Sequence, residues 1–199
     1  MFRRMLAVLA LTTAALTTPA AAHADTTYRS EGDDVVRIHA TKKPGLIRFT
    51  HDGESNFIVH TVDPRGRAGE YLVNEIGPYE GTVLYNDYGT RGTSGLEIKA
   101  DGSWTATFLP LTKARCWCSA TIRGAGDQVL KLSPTRGLHT VRAAHNGESN
   151  FIVHAYTRIG SYGDLLLNEI GRYRGKALLP VATRLVTVHA DGAWTLTRN

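Results

Sequence analysis

The chain has 199 residues, with 23 basic and 18 acidic side chains, a formal net charge of +5 and only two cysteines. This length accommodates one large domain or two small ones. Basic and acidic residues alternate without a basic run, which argues against a nucleic-acid-binding surface. No apolar stretch reaches the ~20 residues that a membrane-spanning helix needs.

The first 24 residues have the pattern of a secretory signal peptide. Arg3 and Arg4 precede an apolar run over residues 5–16, and small residues at 22 and 24 predict cleavage before Asp25. Removing the two arginines leaves 21 basic residues against 18 acidic ones, a net charge of +3. The sequence therefore predicts a protein that is secreted, either extracellular or associated with the cell envelope.

The rest of the chain contains an internal duplication. The segment from His51 to His60 returns almost unchanged from His145 to His154, 94 positions later, and the motif Asn-Glu-Ile-Gly occurs at both 74–77 and 168–171. A loop at 89–94 is longer in the first copy. A period of this length predicts two tandem domains, since solenoid repeats have units of ~20–50 residues. The predicted boundaries are 25–109 and 122–199, joined by a linker at 110–121.

Short alternating segments indicate β-strands throughout. Val36, Ile38 and Ala40 alternate with Arg37 and His39, and Asp-Gly or Asn-Gly turns separate such segments. No segment has a helical period. The predicted fold class is all-β, with two tandem antiparallel β-sandwich (jelly-roll-like) domains.

The first repeated motif predicts a hairpin with a loop at 52–55. This hairpin pairs His51 with Asn56 and Phe49 with Ile58, so Phe49 and Ile58 are predicted to pack in the core. His51 and His60 would lie ~13 Å apart along one face, too far to share a metal ion.

The Ala-Asp-Gly-x-Trp motif predicts a second hairpin. A three-residue loop would pair Ala100 with Trp104 and Ile98 with Ala106, which places the apolar residues on one face. Trp104 and its counterpart Trp194 are accordingly predicted to lie in the two cores.

The two cysteines, Cys116 and Cys118, flank Trp117 in the predicted linker. Export permits disulfides. The alternatives are a bridge between these two cysteines, a bridge to another chain, or redox chemistry. A zinc site would need a second pair of ligands, which the sequence does not supply.

No Gly-x-Ser-x-Gly, His-Glu-x-x-His or phosphate-binding loop is present in the sequence, so no known catalytic motif suggests a reaction. The candidate ligand-binding residues recur in both copies and would converge if the two repeated loops meet at one end of each sandwich. They are His51, Glu54, Asn74, Glu75 and Tyr79, and His145, Glu148, Asn168, Glu169 and Tyr173. The tyrosines would provide an aromatic platform. Ordinary turn chemistry is the alternative explanation.

No metal and no cofactor are predicted. Asp52 and Glu54 offer a few oxygens of the kind that calcium prefers, but an Asp-Gly turn explains the same residues.

The motifs together resemble a β-sandwich repeat of exported and envelope proteins of actinobacteria. The matching segments are Gly-Asp-x-Val-Val, His-Asp-Gly-x-Ser-Asn-Phe-x-Val, Leu-Val-Asn-Glu-Ile-Gly-x-Tyr-x-Gly and Ala-Asp-Gly-x-Trp-Thr. The resemblance covers nearly the whole chain after residue 24. It implies a β-sandwich fold but no activity and no catalytic residues, and the Cys-Trp-Cys segment departs from the family pattern.

The sequence favours a non-catalytic binding protein whose partner is an envelope glycan or an extracellular protein. Duplicated modules gain avidity when both copies bind. Two alternatives remain: a hydrolase that uses the Glu54 and Glu75 carboxylates, and an inhibitory or accessory partner of a secreted enzyme.

Overall fold

A computed structural model describes residues 25–88 and 91–199, so the predicted signal peptide lies outside the described residues. Nearly all regular structure in these residues is β-strand, and the only helix among them is a 3₁₀ turn at Leu111–Lys113. The prediction of an all-β fold is confirmed. No helix in the described part of the chain is long and apolar enough to cross a membrane.

The N-terminal half contains eight strands in two four-stranded antiparallel sheets. The strands are β1 (Thr26–Glu31), β2 (Asp34–Thr41), β3 (Gly45–His51), β4 (Asn56–Val62), β5 (Ala68–Ile76), β6 (Tyr79–Tyr85), β7 (Thr93–Lys99) and β8 (Ser103–Leu109). The strand orders are β1-β8-β3-β6 and β2-β7-β4-β5. Both sheets contribute side chains to one core that contains Phe49, Phe57, Val59, Leu96 and Trp104.

The C-terminal half repeats this arrangement and adds one short strand. Its strands are β9 (Arg115–Cys116), β10 (Thr121–Ala125), β11 (Gln128–Lys131), β12 (His139–His145), β13 (Asn150–Tyr156), β14 (Asp164–Ile170), β15 (Tyr173–Leu179), β16 (Leu185–Ala190) and β17 (Ala193–Arg198). The orders are β10-β17-β12-β15 and β14-β13-β16-β11-β9, in which β9 pairs parallel to β11. Strands β10–β17 thus correspond one by one to β1–β8.

Both predicted hairpins are wrong. Strand β3 pairs with β6 and β8, whereas β4 pairs with β5 and β7, so the loop at 52–55 crosses from one sheet to the other. The turn at 100–102 crosses in the same way between β7 and β8. A strand that changes sheet presents its other set of alternate residues to the core. Consequently Phe57 and Val59 are fully buried, while Ile58 is only half-buried.

The predicted positions of the two tryptophans are confirmed. Trp104 and Trp194 are each 2% exposed, and their indole N–H groups donate to the backbone oxygens of Gly32 and Gly126, both at 2.9 Å. Each bond satisfies the one polar atom of a buried indole, which would otherwise destabilise the core.

The two halves are in direct contact through a third apolar cluster. Leu46 from the N-terminal half packs with Ala114, Val129, Tyr156 and Leu185. The predicted linker takes part in this packing, since Ala114 is 4% exposed. Its neighbour Trp117 is 1% exposed and belongs to the core of the C-terminal half. The chain between the halves is therefore packed against both of them.

Candidate binding cleft at the junction of the two halves

The first repeated motif forms a structural network in the N-terminal half. The buried His51 ring donates from Nδ1 to the Gly77 carbonyl at 3.0 Å, and its Nε2 lies 3.3 Å from Asp101 Oδ1. The other oxygen, Asp101 Oδ2, accepts the backbone N–H groups of Glu54 and Ser55. One imidazole and one carboxylate thus connect three loops at one end of the two sheets.

The second copy builds the same network from its own residues. His145 Nδ1 donates to the Gly171 carbonyl at 2.9 Å and its Nε2 lies 3.2 Å from Asp191, whose Oδ2 accepts the backbone N–H groups of Glu148 and Ser149. Gly77 and Gly171 both have positive φ, which glycine adopts at little cost.

This network keeps the predicted histidines away from solvent. The side chains of His51 and His145 are 0% exposed, and their rings stack on Phe57 and Phe151. The side chains of Glu54 and Glu148 lie on the exposed loop, where only their backbone N–H groups take part in the network. These four predicted site residues belong to the loop network and do not line either of the two clefts at the junction of the halves.

Asp52 is also committed to a turn, because its Oδ1 accepts the Ser103 N–H at 2.7 Å. Asn146 accepts the Ala193 N–H in the same way. Among the residues that the structure describes, no three His, Cys, Asp or Glu side chains are grouped so that they could hold a metal ion. Cys116 and Cys118 are joined by a disulfide, with 5.2 Å between their Cα atoms.

The remaining predicted residues of the first copy lie at the junction of the two halves. Tyr79 packs its ring against Phe57 and donates its hydroxyl to Asp127 Oδ2 at 2.7 Å. Because the ring is packed, Tyr79 is not an open aromatic platform. Burial and the Asp127 carboxylate raise the pKa of Tyr79, which keeps its hydroxyl a donor.

Asp127 is the centre of this junction. Besides the Tyr79 hydroxyl, it accepts His189 Nδ1–H at 2.8 Å and the Ala190 N–H at 3.0 Å, and it is 4% exposed. The hydrogen bond to Asp127 is the main cause of a raised pKa of His189. His189 Nε2 lies 3.6 Å from Glu75, and burial raises the pKa of that carboxyl group. A chain of charged groups therefore runs from Glu75 in one half to Asp127 in the other.

A cleft of about 330 Å³ opens between the halves beside this chain. Its polar lining includes Asn74, Thr82, Asp87, Asp127, Gln128, His154, Tyr156, Thr187 and His189. Apolar side chains, among them Leu72, Val83, Leu84 and Ile152, also line it. The exposed ring of Tyr71 lies at this cleft and packs on His60, with 3.8 Å between ring centroids. Small-ligand sites combine such apolar walls with a few convergent polar groups.

Several groups in the cleft have shifted acidities. Burial raises the pKa of Asp87, although the Tyr156 hydroxyl donates to its carboxylate at 3.0 Å. Burial also lowers the pKa of His154. Shifted acidities that cluster in one cleft are typical of functional sites.

The structure thus brings only some of the predicted residues together. Asn74, Glu75 and Tyr79 meet at the junction, whereas their counterparts Asn168, Glu169 and Tyr173 lie on β14 and β15 at the far edges of their sheets, without a facing half. The sequence motifs did not identify the other residues at the junction, which are Tyr71, Asp87, Asp127, His154, Tyr156 and His189. One signal was visible: His189 stands where the first copy has Lys99, in an otherwise similar segment.

A second space of about 720 Å³ also borders the junction. Charged side chains dominate its lining, among them Arg48, Glu80, Lys113 and Arg115, and no aromatic ring lines it. The smaller cleft is the better candidate for an organic ligand, because it combines apolar, aromatic and hydrogen-bonding groups.

No protein-family model and no curated protein matches the chain.

Proposed function

We propose that the chain is a secreted, non-catalytic binding protein that holds an envelope glycan in the junction cleft. In this proposal the two halves are tandem jelly-roll-like sandwich domains of the actinobacterial repeat family that the sequence resembles. The observation that carries the proposal is the solvent-exposed ring of Tyr71 beside a row of hydrogen-bonding side chains. Tyr71 is 69% exposed while His60 supports one side of its ring.

A sugar ring presents both an apolar face of C–H groups and a rim of hydroxyl groups. The apolar face packs on an aromatic ring such as Tyr71, whose supported position reduces the entropy lost on binding. The hydroxyl groups need both donors and acceptors, which Asn74, Asp87 and His154 supply on the same cleft. The chemical character of the cleft therefore fits a carbohydrate.

The placement of the carboxylates favours binding over hydrolysis. A glycosidase needs two carboxyl groups that are free to act on the scissile bond. Asp127 already accepts three hydrogen bonds, and Glu75 faces His189, so this pair is occupied within the protein. Glu54, the other carboxylate considered, lies on the exposed loop after β3.

Binding of the purified protein to a glycan array and to insoluble cell-wall polysaccharide tests the proposal. We expect retention on at least one glycan class, and Tyr71→Ala and Asn74→Ala should each weaken it about tenfold, equivalent to ~1.4 kcal/mol. Leu165→Ala and Asn168→Ala are matched controls, since these counterparts lie on β14 outside the cleft.

At a protein concentration low enough for the chain to be monomeric, the controls should bind as the wild type does. Two results would overturn the proposal: no retention on any glycan, or equal weakening by Asn74→Ala and Asn168→Ala. Retention on secreted proteins alone would instead favour an extracellular protein as the partner.

A further inference from the structure

The junction joins two different surfaces, and a free counterpart of each occurs elsewhere on the molecule. The N-terminal half contributes β6, an edge strand, and the C-terminal half contributes the start of β11. Their counterparts are β15, also an edge strand, and the start of β2. We call these the β15 face (Glu169, Tyr173, Arg174, Lys176 and Leu178) and the β2 face (Glu31, Asp33, Asp34, Val35 and Lys99).

We propose that the β15 face of one molecule docks on the β2 face of a second copy, repeating the junction between molecules. Since the two faces differ, the contact is heterologous. A row of docked copies still has one free β15 face at one end and one free β2 face at the other. Such contacts either close into a ring or extend as a filament.

The apolar residues of the two faces support this inference. Val129 is 2% exposed at the junction, whereas its counterpart Val35 is 57% exposed. Leu84 packs against the junction cluster, whereas its counterpart Leu178 is 59% exposed. Both positions keep an aliphatic side chain where nothing in the described chain covers it, and burial of such side chains drives association.

The hydrogen-bonding pair at the centre of the junction has the same residue types at the counterpart positions. Tyr79 donates to the buried Asp127. The corresponding residues, Tyr173 and Asp33, are again a tyrosine and an aspartate. Asp33 is exposed and accepts only the Ala100 N–H, and among the described residues the Tyr173 hydroxyl has no hydrogen-bond partner. Docking would bring this donor to this acceptor.

The counterparts of the junction ion pair are also a basic and an acidic residue, although the base is a different residue. His189 and Glu75 lie 3.6 Å apart across the junction. Their counterparts are Lys99 on the β2 face and Glu169 on the β15 face, again a base and an acid. The basic residue and the acidic residue therefore lie on the same two faces as in the junction.

The remaining charged positions are complementary as well. The β2 face carries the acidic Glu31 and Asp34, and the β15 face carries the basic Arg174 and Lys176, all four exposed. The junction counterparts, in the same order, are Ala125, Gln128, Glu80 and Thr82. The free faces thus have the stronger opposite charges, as expected of two surfaces that must find each other without a connecting chain.

Sedimentation velocity measures this association directly. We expect the weight-average mass of the protein to rise with concentration, within the range below about 1 mM where weak contacts form. Higher salt should lower the mass at a given concentration, because exposed charges are screened. Two double variants test the faces separately: Arg174→Glu with Lys176→Glu, and Glu31→Lys with Asp34→Lys.

Each variant alone should remain a monomer, since its two faces have charges of the same sign. An equimolar mixture should associate again, because each reversed face then meets an oppositely charged face on the other variant. Recovery in the mixture also shows that both variants are folded. A wild-type protein that stays monomeric up to about 1 mM, or a mixture of two folded variants (by circular dichroism) that stays monomeric, would overturn the proposal.

Discussion

Replacing Asp127 tests how much the hydrogen bonds at the junction contribute to the stability of the protein. Asp127→Ala removes the acceptor of three hydrogen bonds and leaves the Tyr79 hydroxyl and the partly exposed His189 ring without their partner. Breaking a fully buried charged pair by removing one partner costs about 3–5 kcal/mol. We expect a loss of unfolding free energy of about 2–4 kcal/mol here, because the His189 side chain is 34% exposed and water replaces part of the lost interaction.

Asp33→Ala is the matched control. Asp33 holds the corresponding position in the N-terminal half and accepts the Ala100 N–H at 3.0 Å, as Asp127 accepts the Ala190 N–H. Asp33 is exposed, so water can replace the lost bond, and the expected cost is about 0.5–1.5 kcal/mol. The difference between the two variants reports the Tyr79 bond across the junction together with the His189 bond beside it, neither of which Asp33 makes.

Thermal unfolding followed by tryptophan fluorescence provides the measurement. A protein of this size loses about 2–4 °C in Tm per kcal/mol. Asp127→Ala should therefore unfold roughly 3–9 °C below Asp33→Ala. Equal Tm values for the two variants would refute the argument, since the Tyr79 and His189 hydrogen bonds to Asp127 would then contribute nothing to stability.

The other two predictions concern pH and the disulfide. His189 has a raised pKa in the folded protein, so its stabilising contribution is present below its ordinary pKa of 6.5 and is lost as the pH rises through the raised value. Urea unfolding should show the largest difference between the wild type and His189→Gln below pH 6.5, shrinking towards alkaline pH, and a constant difference would contradict the assignment. Reduction of the Cys116–Cys118 disulfide opens a very short loop, so the loss of chain entropy predicts that the unfolding free energy falls by only about 1.5 kcal/mol. Urea unfolding under reducing conditions measures this change. A fall of more than about 4 kcal/mol would show that the bridge stabilises the protein by another route.

The fold shows where sequence patterns are informative and where they are not. Alternation in β3 and β7 correctly placed Phe49 and Ile98 in the core. The same alternation could not reveal which strand pairs with which. A loop of four residues fits a hairpin as well as a crossing between sheets, and the crossing is what changed the buried residues of β4 from Ile58 to Phe57 and Val59.

The candidate site shows the same division. The motifs marked Asn74, Glu75 and Tyr79, because they recur, but recurrence also marked their counterparts in the C-terminal half. Only the packing of one half on the other places the first set beside His189 and Asp127, which are 114 and 48 positions away from Glu75 and Tyr79. The repeated motifs do not show which copy lies at the junction, since the two halves share a single junction and each contributes a different surface to it.

The sequence by itself determined the strand content, the duplication and the burial of Trp104 and Trp194, because these depend on local alternation, turn residues and the size of an indole ring. The tertiary structure alone decided the pairing of strands, the interior position of His51 and His145, and the cleft at the junction. Those features depend on contacts between residues far apart in the chain, where many pairings satisfy the same local pattern and the packing of both sheets selects one.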